Sequence, residues 1–284
     1  MFGLNTTTYS VQNYDLDATL TSGQAFRWTK NDRQWEGIIG NRWMSLEKRG
    51  SQIIAHTPQP AGDWHWLEHY LQLKVDLSAI IRTFPQDPAM KEATRACHGL
   101  RLLRQSPWEC LACFICSSTK QIVQIQQIVD LLCQRLGSPI ESPSSGITHA
   151  FPTFTQLASV NETKLRECKM GFRAPYLLSA ARTLVEGKLE LDSLNAKPIE
   201  EARECLMTLD GVGPKIADCI LLFAYGFPEA FPIDVWIKKA LSTLYFRGRP
   251  VSAAKLNTFV SSHFGPHAGY AQQYLFHYMR TAKP

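Results

Sequence analysis

The chain has 284 residues, 45% of them hydrophobic, enough to bury one large core or two modest ones without a metal or disulfide to hold it together. Thirty basic against 25 acidic side chains give a formal charge of +5, compatible with a polyanionic partner but common also in proteins that have none. No run of eighteen apolar residues occurs, and the opening MFGLNTTTYS has neither a basic start nor a continuous apolar stretch, so the protein is expected to be soluble and unexported, with no membrane partner.

From about residue 9 to 57, short aromatic or β-branched runs alternate with turn residues at Asn31-Asp32, Gly40-Asn41 and Arg49-Gly50, the pattern of an antiparallel sheet. Near residue 64 the period changes. Trp64, Leu67, Leu71 and Leu73 mark a helix, and Phe84-Pro85-Gln86-Asp87-Pro88 breaks the chain before another. Ser106-Pro107 caps a helix running to about Ser117, and a second spans Lys120 to Leu136, closed by Gly137. The proline- and serine-rich stretch 138–152 reads as one long loop. Thr153 and Gln156 have capping-box spacing, and further helices are expected near 173–186, 198–208, 214–225, 234–246, 252–264 and 266–281. The fold class is therefore α+β: a sheet domain over 1–85 packed on a larger helical domain over 86–284.

Eight cysteines (97, 110, 113, 116, 133, 168, 205 and 219) lie mostly in helix-like apolar stretches, as free thiols do in a reducing intracellular compartment. Cys110, Cys113 and Cys116 have the spacing that attracts attention in iron–sulfur proteins. A cluster needs four thiolates close together, and the next cysteine, Cys133, is in another helix. No metal or other cofactor is expected.

The segment Leu209-Asp210-Gly211-Val212-Gly213-Pro214-Lys215 joins two helical stretches and has the form of a helix-hairpin-helix. Gly211, Val212 and Gly213 can bring backbone N–H groups close to a phosphate, and the next helix adds the positive end of its dipole. A plain turn between helices would look the same. Lys215 falls in the first turn of the following helix, where the dipole disfavours positive charge and favours a neutral, nucleophilic amine. Nineteen residues on, Asp234 precedes an apolar-periodic run and reads as an N-cap whose carboxylate can face the hairpin. The alternative is equally simple: a solvated lysine touching phosphate, and an aspartate that only caps.

The stretch LDGVGPKIADCILLFAYGFPEAFPIDVWIKKAL (209–241) resembles the signature of the helix-hairpin-helix glycosylases. TSGQAFRW (21–28), LLRQSPWECLACFICSS (102–118), MGFRAPY (170–176) and GPHAGYAQQYLF (265–276) are similar, in order and spacing, to the 8-oxoguanine DNA glycosylase branch. The resemblance runs from about residue 14 to 281. It implies a TBP-like N-terminal sheet domain against an all-α glycosylase domain. It also implies a bifunctional DNA glycosylase/AP lyase of base excision repair, acting as a monomer on double-stranded DNA that contains oxidised guanine.

At matched positions, Lys215 resembles the Schiff-base nucleophile and Asp234 the carboxylate that assists it. Cys219 and Phe276 resemble the residues that sandwich a flipped base, Gln272 the reader of its Watson–Crick edge, and Gly23 the carbonyl that accepts from the N7 hydrogen carried only by the lesion. Phe172 and Arg173 resemble the groups that fill the gap in the helix, and Thr119, where the family has its asparagine-rich stretch, is a further candidate DNA contact. Read without the resemblance, Cys219 and Phe276 fit a core, Gln272 a helix surface and Gly23 a turn.

The sequence also departs from the family. A histidine expected two positions after the aspartate is Trp236, and the acid facing it is Met279. The asparagine-rich stretch is Thr119-Lys120-Gln121, and a following arginine is Gln124, so readout of the opposite cytosine is expected to loosen. A glycosylase for alkylated bases would share the scaffold without the lysine, and a non-enzymatic DNA-binding module would need neither Lys215 nor Asp234.

Overall fold

The structure, a computed structural model, describes residues 3–143 and 148–281. Its N-terminal part is a five-stranded antiparallel sheet of β1 (Asn5–Ser10), β2 (Trp28–Asn31), β3 (Gln34–Ile39), β4 (Arg42–Arg49) and β5 (Gln52–Thr57), in the order β1-β5-β4-β3-β2. The three connections from β2 to β5 turn at Asp32, Gly40 and Gly50, each with positive φ, where the turn residues of the sequence stand. β1 begins earlier than the hydrophobic pattern indicates. Its NTTTYS has no apolar alternation, and it becomes a strand by pairing with β5 from Asn5↔Thr57 to Ser10↔Gln52.

The remaining elements are helical. Those expected at 106–117, 153, 198–208, 234–246 and 252–264 appear as Pro107–Cys116, Phe154–Ala158, Ile199–Met207, Val235–Tyr245 and Ala253–His263. Thr153 and Gln156 form the capping box, and Gly137 follows Ile122–Leu136. Three six-residue helices, Leu16–Thr21 inside the stretch read as sheet, Leu77–Arg82 and Glu162–Glu167, are too short for periodicity to register. Their sequence signals are the caps Asp15, Asp76 and Asn161, which accept from Ala18 N, Ala79 N and Lys164 N. Of the expected 138–152 loop, residues 144–147 lie outside the described residues; the rest carries one isolated bridge, Pro139 to His149. Among the described residues no helix is long and apolar enough to cross a membrane.

Two apolar clusters support these layers. One lies under the sheet around Met44, Leu46, Ile53, Ala55, Leu67 and Leu71. The other fills the helical part, with Pro107–Cys116 at its centre, buried on nearly every side. Cys110, Cys113 and Cys116 contribute apolar volume to it, and burial pushes the Cys116 thiol up to about 12.

One tie between the two layers is made by polar side chains around Gln24. Gln24 is fully buried in the segment between the helix Leu16–Thr21 and β2. Its Nε2 donates to the carbonyls of Thr19 (2.9 Å) and Arg101 (2.8 Å), and its Oε1 accepts from Leu103 N (2.7 Å). Gln105 Nε2 donates to the Gln24 carbonyl at 2.7 Å, and Gln273 Nε2 on the last helix donates to Ser22 O at 2.9 Å. Gly23 is therefore held between the sheet layer and the last helix. Gln24→Ala leaves buried carbonyls and an N–H without partners, and we expect a loss of about 2–4 kcal/mol in urea unfolding. A loss below about 0.5 kcal/mol would show that water or relaxation satisfies these groups.

Candidate active site

The hairpin forms as read. Gly211 has φ +77°, and a Cβ there would come within 2.7 Å of the Tyr176 ring, so both conformation and space demand glycine. Gly213 is open and serves as N-cap to the helix Pro214–Ile220, while Val212 packs inward with 5% exposure. That helix continues as a π-helical turn over Leu221–Tyr225, a geometry often found beside functional sites.

Lys215, one residue into the helix, turns inward. Its Nζ lies 3.2 Å from Ser117 Oγ and 5.2 Å from the centre of the Phe114 ring. Asp234 is the N-cap that its place in the sequence indicates. Its Oδ1 accepts from Ile237 N at 2.7 Å as the N-cap of Val235–Tyr245, and the carboxyl lines the same cavity as Lys215. Burial raises its pKa, opposed by the Ile237 hydrogen bond and by the charge of Lys215.

The cavity they share has a volume of about 350 Å³, within the range that holds a small ligand. Gly23, Cys219, Gln272 and Phe276 all line it. Gly23 has φ +79°, and a Cβ would stand 2.7 Å from Ile122 and 3.3 Å from the Phe276 ring, so the turn is also a close approach of backbone to the cavity wall. Gln272 is buried rather than on a helix surface. Its Nε2 donates to Pro232 O at 3.1 Å, while Oε1 is buried and has no partner among the described residues. An unpaired buried acceptor is costly unless a ligand supplies the donor. Cys219 is 3% exposed, and burial pushes its thiol up to about 12, partly offset by Lys215.

The other candidate residues lie apart from this cavity. Phe172 is 52% exposed at a turn, with the Arg173 guanidinium 4.2 Å from its ring centre. Arg173 itself is 3% exposed. It donates to Ser118 O through Nε at 2.8 Å and to Thr119 Oγ1 through Nη2 at 2.7 Å, so it braces the loop in which Thr119 takes positive φ. The structure does not bring the Arg173 guanidinium to the surface. Trp236, 48% exposed, stands at the cavity edge. Three lining residues carry no motif that sequence reading could use: Ser117, Phe114 and Arg280. The first two lie in the quoted block 102–118, but their relation to Lys215 spans about a hundred positions and exists only in the fold.

The thiols permit a direct check of this burial. Of the eight cysteines only Cys205 is partly exposed. Iodoacetamide treatment of the native protein at pH 7.5 is expected to label Cys205 and spare Cys219 in a peptide mass map. Labelling of Cys219 at a similar rate would mean that the cavity wall opens.

Residues 7–111 match the family described as 8-oxoguanine DNA glycosylase, N-terminal domain, and residues 112–259 the HhH-GPD superfamily base excision DNA repair proteins. The chain is 34% identical to the N-glycosylase/DNA lyase OGG1 of Arabidopsis thaliana, over 92% of this chain and 76% of the relative. It is 33% identical to the N-glycosylase/DNA lyase of Saccharomyces cerevisiae, over 90% and 81%. The solved 8-oxoguanine glycosylase/lyase of Clostridium acetobutylicum, in complex with double-stranded DNA containing cytosine opposite 8-oxoG, superposes with a TM-score of 0.90 at 33% identity, covering 95% and 93% of the two chains. Two family models that together span 7–259, and relatives of 33–34% identity over nine-tenths of its length, place the chain in the 8-oxoguanine DNA glycosylase family of the HhH-GPD superfamily.

Proposed function

We propose that this chain excises 8-oxoguanine from double-stranded DNA and then cleaves the strand, with Lys215 as nucleophile and Asp234 as its carboxylate partner. The observation that carries the reading is the shared cavity, in which an amine and a carboxylate flank a base-sized space that ends on the unpaired Gln272 Oε1. The Watson–Crick edge of a guanine-type base offers N1–H and N2–H donors, which complement that acceptor. Cys219 and Phe276 supply the faces between which the base stacks, and the Gly23 carbonyl accepts from N7–H of the lesion, whereas an undamaged guanine presents a lone pair there.

In the chemical step Lys215 Nζ bonds to C1′ and the glycosidic bond breaks, its electron pair leaving with the base. Positive charge gathers on the sugar as the bond lengthens, and an ionised Asp234 lowers that barrier. Ring opening gives an imine between Lys215 and C1′, which acidifies the C2′ hydrogen; its loss expels the 3′ phosphate by β-elimination. Gly211, Val212 and Gly213 hold a backbone phosphate, Phe172 enters the gap left by the base, and Arg173 with Thr119 shapes the loop facing the opposite strand. Thr119, Lys120 and Gln121 offer no rigid donor fork for a cytosine, so selectivity for the opposite base is relaxed. The reading includes a division into a sheet domain over 1–85 and a helical domain over 86–284. It also includes a monomeric, cofactor-free enzyme working in a reducing intracellular compartment.

Lys215→Gln is expected to abolish base excision and borohydride trapping on 8-oxoguanine DNA, with DNA affinity retained within a few fold because the hairpin and the remaining cations still hold phosphates. Excision at the normal rate would overturn the assignment. Asp234→Asn is expected to bind normally and slow excision by about two orders of magnitude or more. Because burial raises the Asp234 pKa and the ionised form is the useful one, wild-type excision is expected to fall on the acid side at a pH above the ordinary carboxylate range. That limb disappears in Asp234→Asn; its persistence would assign it to another group.

A further inference from the structure

The base cavity contains a second buried polar atom without a partner among the described residues, and it is a donor: Nη1 of Arg280. Arg280 lies one helical turn beyond Phe276 on the last helix, as Phe276 lies one turn beyond Gln272. The three form a single stripe, and Cα atoms eight residues apart are separated by about 12 Å along the axis. The Arg280 guanidinium is 5.2 Å from the centre of the Phe276 ring, and Nη1 stands 3.4 Å from where a Gly23 Cβ would be. An acceptor therefore lies at one end of the stacking ring and a cationic donor at the other, beside the Gly23 turn.

A purine stacked on Phe276 with its Watson–Crick edge at Gln272 directs its imidazole end, N7 and C8, toward Gly23 and Arg280. We propose that Arg280 is a lesion-specificity residue, its Nη1 donating a hydrogen bond to the C8 carbonyl oxygen that distinguishes oxidised guanine from guanine. An undamaged guanine presents C8–H at that position and leaves the donor unpaired, which disfavours its retention. No ion pair among the described residues uses Arg280, and burial lowers its pKa, an effect that the charge of Asp234 opposes. The inference rests on the function proposed above.

The test separates the two activities, because a residue that contacts the base acts only while a base is present. Single-turnover excision of 8-oxoguanine and cleavage of a preformed abasic site are measured for wild type, Arg280→Gln and Arg280→Lys. Excision by Arg280→Gln is expected to fall about ten- to hundredfold, the scale of a hydrogen bond to a charged group, and by at least tenfold more than abasic-site cleavage. Arg280→Lys keeps the charge and the stem, and is expected to fall between the two. Equal losses in both activities would overturn the proposal and make Arg280 a support for Asp234 or for the fold. An unchanged excision rate would overturn it too. If Arg280→Gln does not fold, as judged by its melting curve, the excision-to-cleavage ratio of Arg280→Lys decides. Wild-type protein that forms no borohydride adduct with lesion DNA would instead refute the underlying function.

Discussion

The site depends on a buried amide that never touches the cavity. Gln24 links the Thr19 and Arg101 carbonyls and the Leu103 amide, and through its own carbonyl the side chain of Gln105. These bonds join the strand layer to the segment leading into the central helix. They fix the neighbouring Gly23 in a left-handed conformation against Phe276. In an interior of low dielectric each such bond is hard to exchange for water, so the network specifies one arrangement of the two layers. The cavity is thereby lined by residues of both.

Asp234 is at once a helix cap and part of the cavity wall. One carboxylate oxygen is committed to the helix N-terminus through Ile237 N, which sets the direction of the group. The same hydrogen bond favours the ionised form, as does Lys215, against the burial that disfavours it. A capping geometry thus fixes the direction of a carboxylate on the cavity wall. Lys215 is held between the Ser117 hydroxyl and the Phe114 ring.

Among the described residues the cavity holds two buried polar atoms with no protein partner, Gln272 Oε1 and Arg280 Nη1, beside the apolar groups of Cys219 and Phe276. Unpaired buried groups raise the free energy of a site, and a ligand with donors at one end and an acceptor at the other relieves both. Trp236 and Met279 stand where the family resemblance implies a histidine and its acid, and the absence of the two together strands no charge.

The amino-acid sequence alone determined many of the local elements, the longer helices and the tight turns above all. Turn residues at Asp32, Gly40 and Gly50, caps at Thr153 and Asp234, and the Gly211–Gly213 hairpin act through nearest-neighbour sterics and hydrogen bonds, which a linear pattern expresses directly. The two-layer fold was legible because whole blocks keep family order and spacing, and the same blocks single out Lys215 and Asp234 for the proposed chemistry. Tertiary structure alone decided which side chains meet. Periodicity cannot tell that Gln272 faces a cavity with a free acceptor, that the Arg173 guanidinium is consumed by Ser118 and Thr119, or that Ser117 reaches Lys215. Nor could it make a strand of the polar NTTTYS, which acquires its partner from β5. These facts come from long-range packing and desolvation, energies that depend on distance in space and leave no period in the sequence.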